Sequence, residues 1–261
     1  MVSTTPGPGP AFYVDTETTR FRRPYREGGR RIWEIGGTRV NPDDAEYGIH
    51  AFIRIADLGL DELIDPRQLM EWEIGLWPDD KLHADGTVTG GHGQRVDLHG
   101  GTWYDYLPED VKVSLDIGGF HERHPERGGN ETHLLYAAKD IAAKLVVGPW
   151  LTPWPVTDGE EPKILKPTIV GTVPGFEDLG FDQLLTDTDT IVPDEELWSY
   201  RLVDASTYAA GALGWDFPYD PTALTEALGV DISDLEMHTA VDDATWARRL
   251  YAAARVYMRA H

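Results

Sequence analysis

Residues 11–19 read AFYVDTETT. Ala11–Val14 is a short apolar and aromatic run suited to a buried strand, and it ends on Asp15, with Glu17 two positions on. In extended backbone, residues i and i+2 project to the same side. Two carboxylates held side by side repel, and a cation between them relieves the repulsion. Hard divalent ions take such oxygen ligands. A bare Asp-x-Glu pair also has a plainer reading, two surface acids past a strand. Its place after an apolar strand and before Thr18 and Thr19 favours a site.

Outward from this stretch, the connection that follows carries Arg20, Arg22, Arg23, Arg26, Arg30 and Arg31, with Phe21 and Tyr25 among them. A basic loop with aromatic side chains suits a nucleic-acid backbone and a stacked base; the plain alternative is a solvated loop paired with local acids. IWEIGGTRV (32–40) and YGIHAFIRI (47–55) have β-branched and aromatic content. The chain is therefore expected to open with three strands in a meander. Residues 1–10, rich in Pro, Gly and Thr, read as a flexible tail.

Residues 56–130 read as an insertion or elaborated segment after the third strand. GTVTGGHGQRVDLHGG (86–101) suggests a Gly-rich hairpin or an excursion from the core. His83, His92 and His99 match no standard zinc spacing. His121-Glu122-Arg123-His124 is not HExxH, and reads as a polar loop or a contact to nucleic acid. Residues 131–147 place Leu134, Leu135, Ala138, Ile141, Ala142 and Leu145 at helical spacing, so one helix is expected there. TIVGTV (168–173) and SYRLVD (199–204) read as strands, and helices are expected at 177–186, 205–213, 221–228 and 242–260. The sum is an α/β fold, a mixed sheet covered by helices on both sides, in a single domain over 11–261.

Composition narrows the function. There are 23 basic against 45 acidic residues, a formal net charge of −22. A field of that size repels polyanions at long range and argues against coating of long duplexes. The chain has no cysteine, which removes thiol catalysis, disulfide scaffolds and cysteine-based zinc sites. It has no run of about 18 apolar residues, so no membrane span is expected. The N-terminus lacks the basic and apolar parts of a signal peptide, and a cytoplasmic setting is expected. It contains neither a GxxxxGK[ST] loop nor a GxSxG elbow.

Near the C-terminus, His238 precedes Asp243 by five residues in HTAVDDA (238–244). On one helix that spacing is about 140°. Both can face one site only if His238 lies in the loop before the helix and Asp243 in its first turns. Asp242 and Asp243 also suit a helix N-terminus electrostatically, which makes capping the plain role for one of them.

Taken together, DTETT and HTAVDDA resemble the motifs of the DnaQ-like 3′–5′ exonucleases of the DEDD type, in the histidine-containing DEDDh branch. Asp15 and Glu17 match the first motif, and His238 and Asp243 the third. IWEIGGTRV is similar to the family's second strand, and the approach from Leu202-Val203-Asp204 is similar to that of the third motif. The likeness covers roughly 11–55 and 165–260. It departs at Arg20, where the family has glycine, and in VGTVPGFEDLGFD (170–182), where the position six after Gly171 is Glu177 rather than aspartate, with Asp178 adjacent.

The resemblance implies a ribonuclease H-like fold and a hydrolase that cuts phosphodiester bonds at single-stranded 3′ ends, DNA favoured. It implies two divalent cations, Mg²⁺ or Mn²⁺, on Asp15, Glu17, Asp243 and a second-motif acid, Glu177 first and Asp178 next. His238 would take the proton from the attacking water. Thr18, Thr19, Arg20, Phe21, Arg22 and Arg23 would contact substrate, and a DNA polymerase or another replication or repair protein is a compatible partner. Two other classes remain open: a nuclease-like binding module weakened in catalysis, and a metal-independent glycosidase-like hydrolase with paired carboxylates.

Overall fold

The structure, a computed structural model, describes residues 9–19, 31–54, 57–58, 81–82, 87–89, 96–97, 107, 109–125, 134–156, 163–190 and 197–261. Six strands form one mixed sheet. They are β1 (Ala11–Thr18), β2 (Ile32–Val40), β3 (Glu46–Ile53), β7 (Leu134–Tyr136), β10 (Thr168–Gly171) and β11 (Val203–Asp204), in the order β11-β10-β1-β2-β3-β7. β1 runs parallel to β10, with Tyr13 opposite Val170. β10 runs parallel to β11, with Gly171 opposite Asp204. Helices flank the sheet, an architecture compatible with a ribonuclease H-like fold. Among the described residues no helix is long and apolar enough to cross a membrane.

The chain divides into two compact units, residues 1–16, 35–50 and 139–261 in one and 17–34 with 51–138 in the other. The division passes through β1, β2 and β3.

In the first unit the helices are α3 (Ala138–Val147, from its second residue), α4 (Pro174–Asp187), α5 (Ala205–Leu213), α6 (Pro221–Ala227) and α7 (Ala240–Ala260). Phe12 stacks on Phe181 of α4 at 6.2 Å, and Tyr13 meets Tyr251 of α7 at 6.4 Å. Successive strand residues point to opposite faces, so α4 and α7 cover opposite faces of β1. α7 packs on α5 and α6 through Ala209, Ala210, Leu224, Leu250 and Ala254, all buried. The small side chains on α5 let the helix axes come close. Asp204 caps α5 by accepting the Thr207 N–H at 2.9 Å, and Gly214 ends it in the left-handed region.

The second unit holds β7, α1 (Glu109–Ile117) and α2 (Phe120–Arg123). Its core gathers Trp33, Phe52, Phe120 and His124, with Phe120 edge-on to Trp33 at 5.1 Å. His124 is fully buried, and its Nε2 lies 2.8 Å from the Ile53 carbonyl. Phe120–Arg123 is helical rather than a polar loop, and His124 is a core residue rather than a contact to nucleic acid. In the Gly-rich stretch, β5 (Thr87–Thr89) pairs antiparallel with both β4 (Lys81–Leu82) and β6 (Val96–Asp97), as a hairpin reading expects, and in the first unit β8 (Trp154–Val156) pairs antiparallel with β9 (Lys163–Leu165).

Several boundaries differ from the sequence reading. Leu134–Tyr136 is not helical: it forms β7, an edge strand parallel to β3. The helix begins at Ala138, whose N–H reaches Asp57 Oδ2 at 3.2 Å. α4 begins at Pro174, three residues before expected, because a proline at the first helical position presets φ and gives up an N–H that has no partner there. β11 is two residues long rather than six; Ser199 instead bonds the Pro167 carbonyl at 2.9 Å. α7 begins at Ala240 because Thr239 caps it, its hydroxyl accepting the Asp242 N–H at 3.2 Å.

Candidate metal centre

Asp15 lies inside β1 rather than past its end, and Glu17 follows on the same strand. The strand's alternation turns both toward the face that α7 covers. Asp243 sits in the first turn of α7. The helix start is seated on β2 at Gly36, where a Cβ would stand only 2.1 Å from Val241 N and 2.3 Å from the Ala240 carbonyl carbon. Gly37, the next residue, lets β2 close on β1: a Cβ there would lie 2.4 Å from the Tyr13 oxygen. Two adjacent glycines in a central strand thus set how closely helix and strand approach. The content of 32–40 points to a strand without marking this pair, and the Gly-Gly within the strand pattern is the signal of close backbone approach.

One carboxylate oxygen from each of Asp15, Glu17 and Asp243 lies within 4.8 Å of the others. Without a cation, each like-charge pair at that spacing costs about 1 kcal/mol in water and about 3–4 kcal/mol at an effective dielectric of 20. The donor set fits a hard divalent ion. Oxygen ligands at about 2.0–2.6 Å from one ion span up to about 4–5 Å across it, and all-carboxylate donors suit Mg²⁺ or Mn²⁺. Glu17 is 4% exposed, unusual for a carboxylate.

Glu177 lies in the first turn of α4 and is 3% exposed. It is not among the three gathered acids. Its Oε2 is 3.5 Å from the place a Gly171 Cβ would occupy, and that place is 3.1 Å from the Val14 oxygen. Glu177 therefore stands at the seam of β1 and β10, beside the residue that precedes Asp15, approaching from the α4 face. Asp178 is committed elsewhere: its Oδ1 accepts the indole N–H of Trp198 at 2.6 Å.

His238 is exposed and adopts φ 64 in the turn before α7. Its backbone N–H donates to Asp243 Oδ2 at 3.2 Å. Asp242 takes the supporting part, accepting the Glu236 N–H at 2.8 Å. Thr18 and Thr19 are buried. Thr19 closes the base of the arginine-rich connection: its N–H donates to the Arg31 carbonyl at 2.8 Å, and its hydroxyl accepts the Arg31 N–H at 2.9 Å. Arg20, Phe21, Arg22 and Arg23 lie outside the described residues.

No protein-family model matches the chain, and no curated protein matches it significantly.

Proposed function

We propose that this chain is a metal-dependent 3′–5′ exonuclease acting on the 3′ end of single-stranded nucleic acid, with DNA preferred. The observation that carries the reading is the convergence of Asp15, Glu17 and Asp243 within 4.8 Å, from a strand and a helix more than 220 residues apart in the chain. Those are the acids of the two motifs that resemble the DEDDh nucleases.

Asp15, Glu17 and Asp243 hold the cations, with Glu177 as the fourth acid of the set. Bound Mg²⁺ or Mn²⁺ supplies an acidified water and neutralises charge on the leaving oxygen. The exposed imidazole of His238 accepts the water's proton. Water adds to phosphorus, the P–O3′ bond breaks, and a nucleoside 5′-monophosphate leaves. Arg20, Phe21, Arg22 and Arg23 contact the substrate backbone and a terminal base.

The test is degradation of 5′-labelled single-stranded DNA and RNA with Mg²⁺, Mn²⁺ or EDTA, with Asp15→Ala alongside. A 3′-shortened ladder that needs metal and Asp15 supports the reading and selects the sugar. Absence of a ladder from folded, metal-supplied protein favours the second reading, a nuclease-like binding module. That reading draws on Glu177, which is not among the three gathered acids.

A further inference from the structure

Gly118 opens the turn that follows α1, and it stands against two side chains. A Cβ at this position would lie 2.8 Å from Trp33 Cζ2 and 2.9 Å from Glu17 Oε2, closer than real Cβ contacts come. The two neighbours differ in how freely they can yield. Trp33 is fully buried, with Phe120 edge-on at 5.1 Å, Phe52 at 6.1 Å and the Arg123 guanidinium 5.3 Å over its ring. The Glu17 carboxylate is the end of a flexible side chain. Any side chain at position 118 therefore displaces the carboxylate before it displaces the indole.

Gly118 is itself held. Arg123 Nη2 donates to its carbonyl, while Arg123 Nη1 donates to Glu34 Oε2 at 2.6 Å. The Glu34 side chain is fully buried and that of Arg123 is 17% exposed. Gly119, at φ 63, supplies the left-handed residue that turns α1 into α2, and its carbonyl accepts the Arg123 N–H at 2.9 Å. The planar guanidinium fork thus bridges the turn and β2, with one hydrogen bond to each.

We propose that this elbow, Gly118 to Arg123, is a positioning element for Glu17: Gly118 sets where the carboxylate stands, and Arg123 fixes Gly118. The inference rests on the metal-centre reading above. It assigns a part in the site to a segment of the chain where the likeness to the exonuclease motifs is weak. Residues that orient a metal ligand typically change affinity roughly 10- to 100-fold when altered.

The experiment is Mn²⁺ titration of the full chain by calorimetry, with thermal melts of every variant. Asp15→Ala tests the centre itself. Gly211→Ala adds a methyl where nothing lies within 4 Å and is expected to bind as the wild type does. Gly118→Ala is expected to weaken Mn²⁺ binding roughly 10- to 100-fold. In a Glu17→Asp background the shorter side chain withdraws the carboxylate, so adding Gly118→Ala is expected to change affinity far less. Wild-type affinity in Gly118→Ala, or an equal fold-loss in both backgrounds, overturns the proposal. If Gly118→Ala loses its cooperative melt, Arg123→Lys decides. It keeps the charge opposite Glu34 but gives up the fork, so weakened Mn²⁺ binding is expected, and unchanged binding overturns the proposal. Failure of the wild type to bind Mn²⁺, or binding undiminished in Asp15→Ala, removes the metal centre and this inference with it. A silent Gly118→Ala beside a responsive Asp15→Ala removes the elbow's role alone.

Discussion

The N–H of His238 donates to Oδ2 of Asp243 at 3.2 Å. One carboxylate thus serves two purposes: it stands with Asp15 and Glu17, and it holds the turn that carries the histidine. A non-glycine residue in the left-handed region is unfavourable on its own, so His238 needs such a restraint. Asp243→Asn keeps an oxygen acceptor for that N–H and removes the charge. It is expected to melt near the wild-type temperature while losing more Mn²⁺ affinity than the roughly 10- to 100-fold typical of a supporting residue. Asp243→Ala loses both and is expected to melt lower as well. Equal melts for the two variants would separate the turn from the carboxylate.

The segment leading to α7 is anchored again upstream of that turn, at Asp234. Arg249 donates to Asp234 Oδ1 at 2.6 Å and Oδ2 at 2.8 Å, and also to the Asp231 carbonyl at 2.8 Å. The hydrogen bonds from Arg249 hold the Asp234 carboxyl at about 2, below its ordinary 3.8. A depressed folded-state pKa gives stability that is present above the unfolded value and is lost as pH falls through the folded one. The contribution is therefore intact above about pH 4 and disappears toward pH 2. The pair is exposed, so the effect is small and screened by salt. Melting temperature followed from pH 5 to pH 2 is expected to fall less steeply in Arg249→Gln than in the wild type at low salt. Parallel curves would show that the pair adds nothing.

Glu177 is the acid whose part depends most on the nuclease reading. Glu177→Gln removes its charge with little change in shape. A buried amide costs less than a buried carboxylate, so the variant is expected to melt at or above the wild-type temperature while metal-dependent activity falls on the order of 10- to 100-fold. A lower melt with intact activity would assign Glu177 to packing at the β1–β10 seam.

Local pattern carried the sequence reading where local forces decide the structure. β2 falls at 32–40 as its β-branched and aromatic content indicates, and α5 at 205–213 between the Asp204 cap and Gly214. Leu134 and Leu135 misled because a three-residue strand joined to a helix keeps helical spacing across the join. α1 gave little sign of itself, being nine residues long with Val111, Ser114 and Leu115 as its buried positions. Asp15, Glu17 and Asp243 were legible as short motifs with chemical reasons for their spacing. The contact of Gly118 with Glu17 spans a hundred residues of chain and leaves no local pattern, and neither does the pairing of Arg123 with Glu34.

Gly36 joins the fold to the site most directly. A methyl there would meet backbone atoms, Val241 N at 2.1 Å and the Ala240 carbonyl carbon at 2.3 Å, which cannot rotate away as a side chain can. Gly36→Ala must therefore lift the start of α7 from β2, and Asp243 lies two residues beyond Val241. Overpacking of this kind costs about 1–3 kcal/mol, occasionally more. Urea denaturation is expected to show that loss, and Mn²⁺ titration of the folded fraction is expected to show weakened binding in the same variant. Gly211→Ala supplies the comparison, because its methyl enters open space on α5. If Gly36→Ala loses stability yet binds Mn²⁺ as the wild type does, the seat of α7 on β2 holds the fold without setting the position of Asp243.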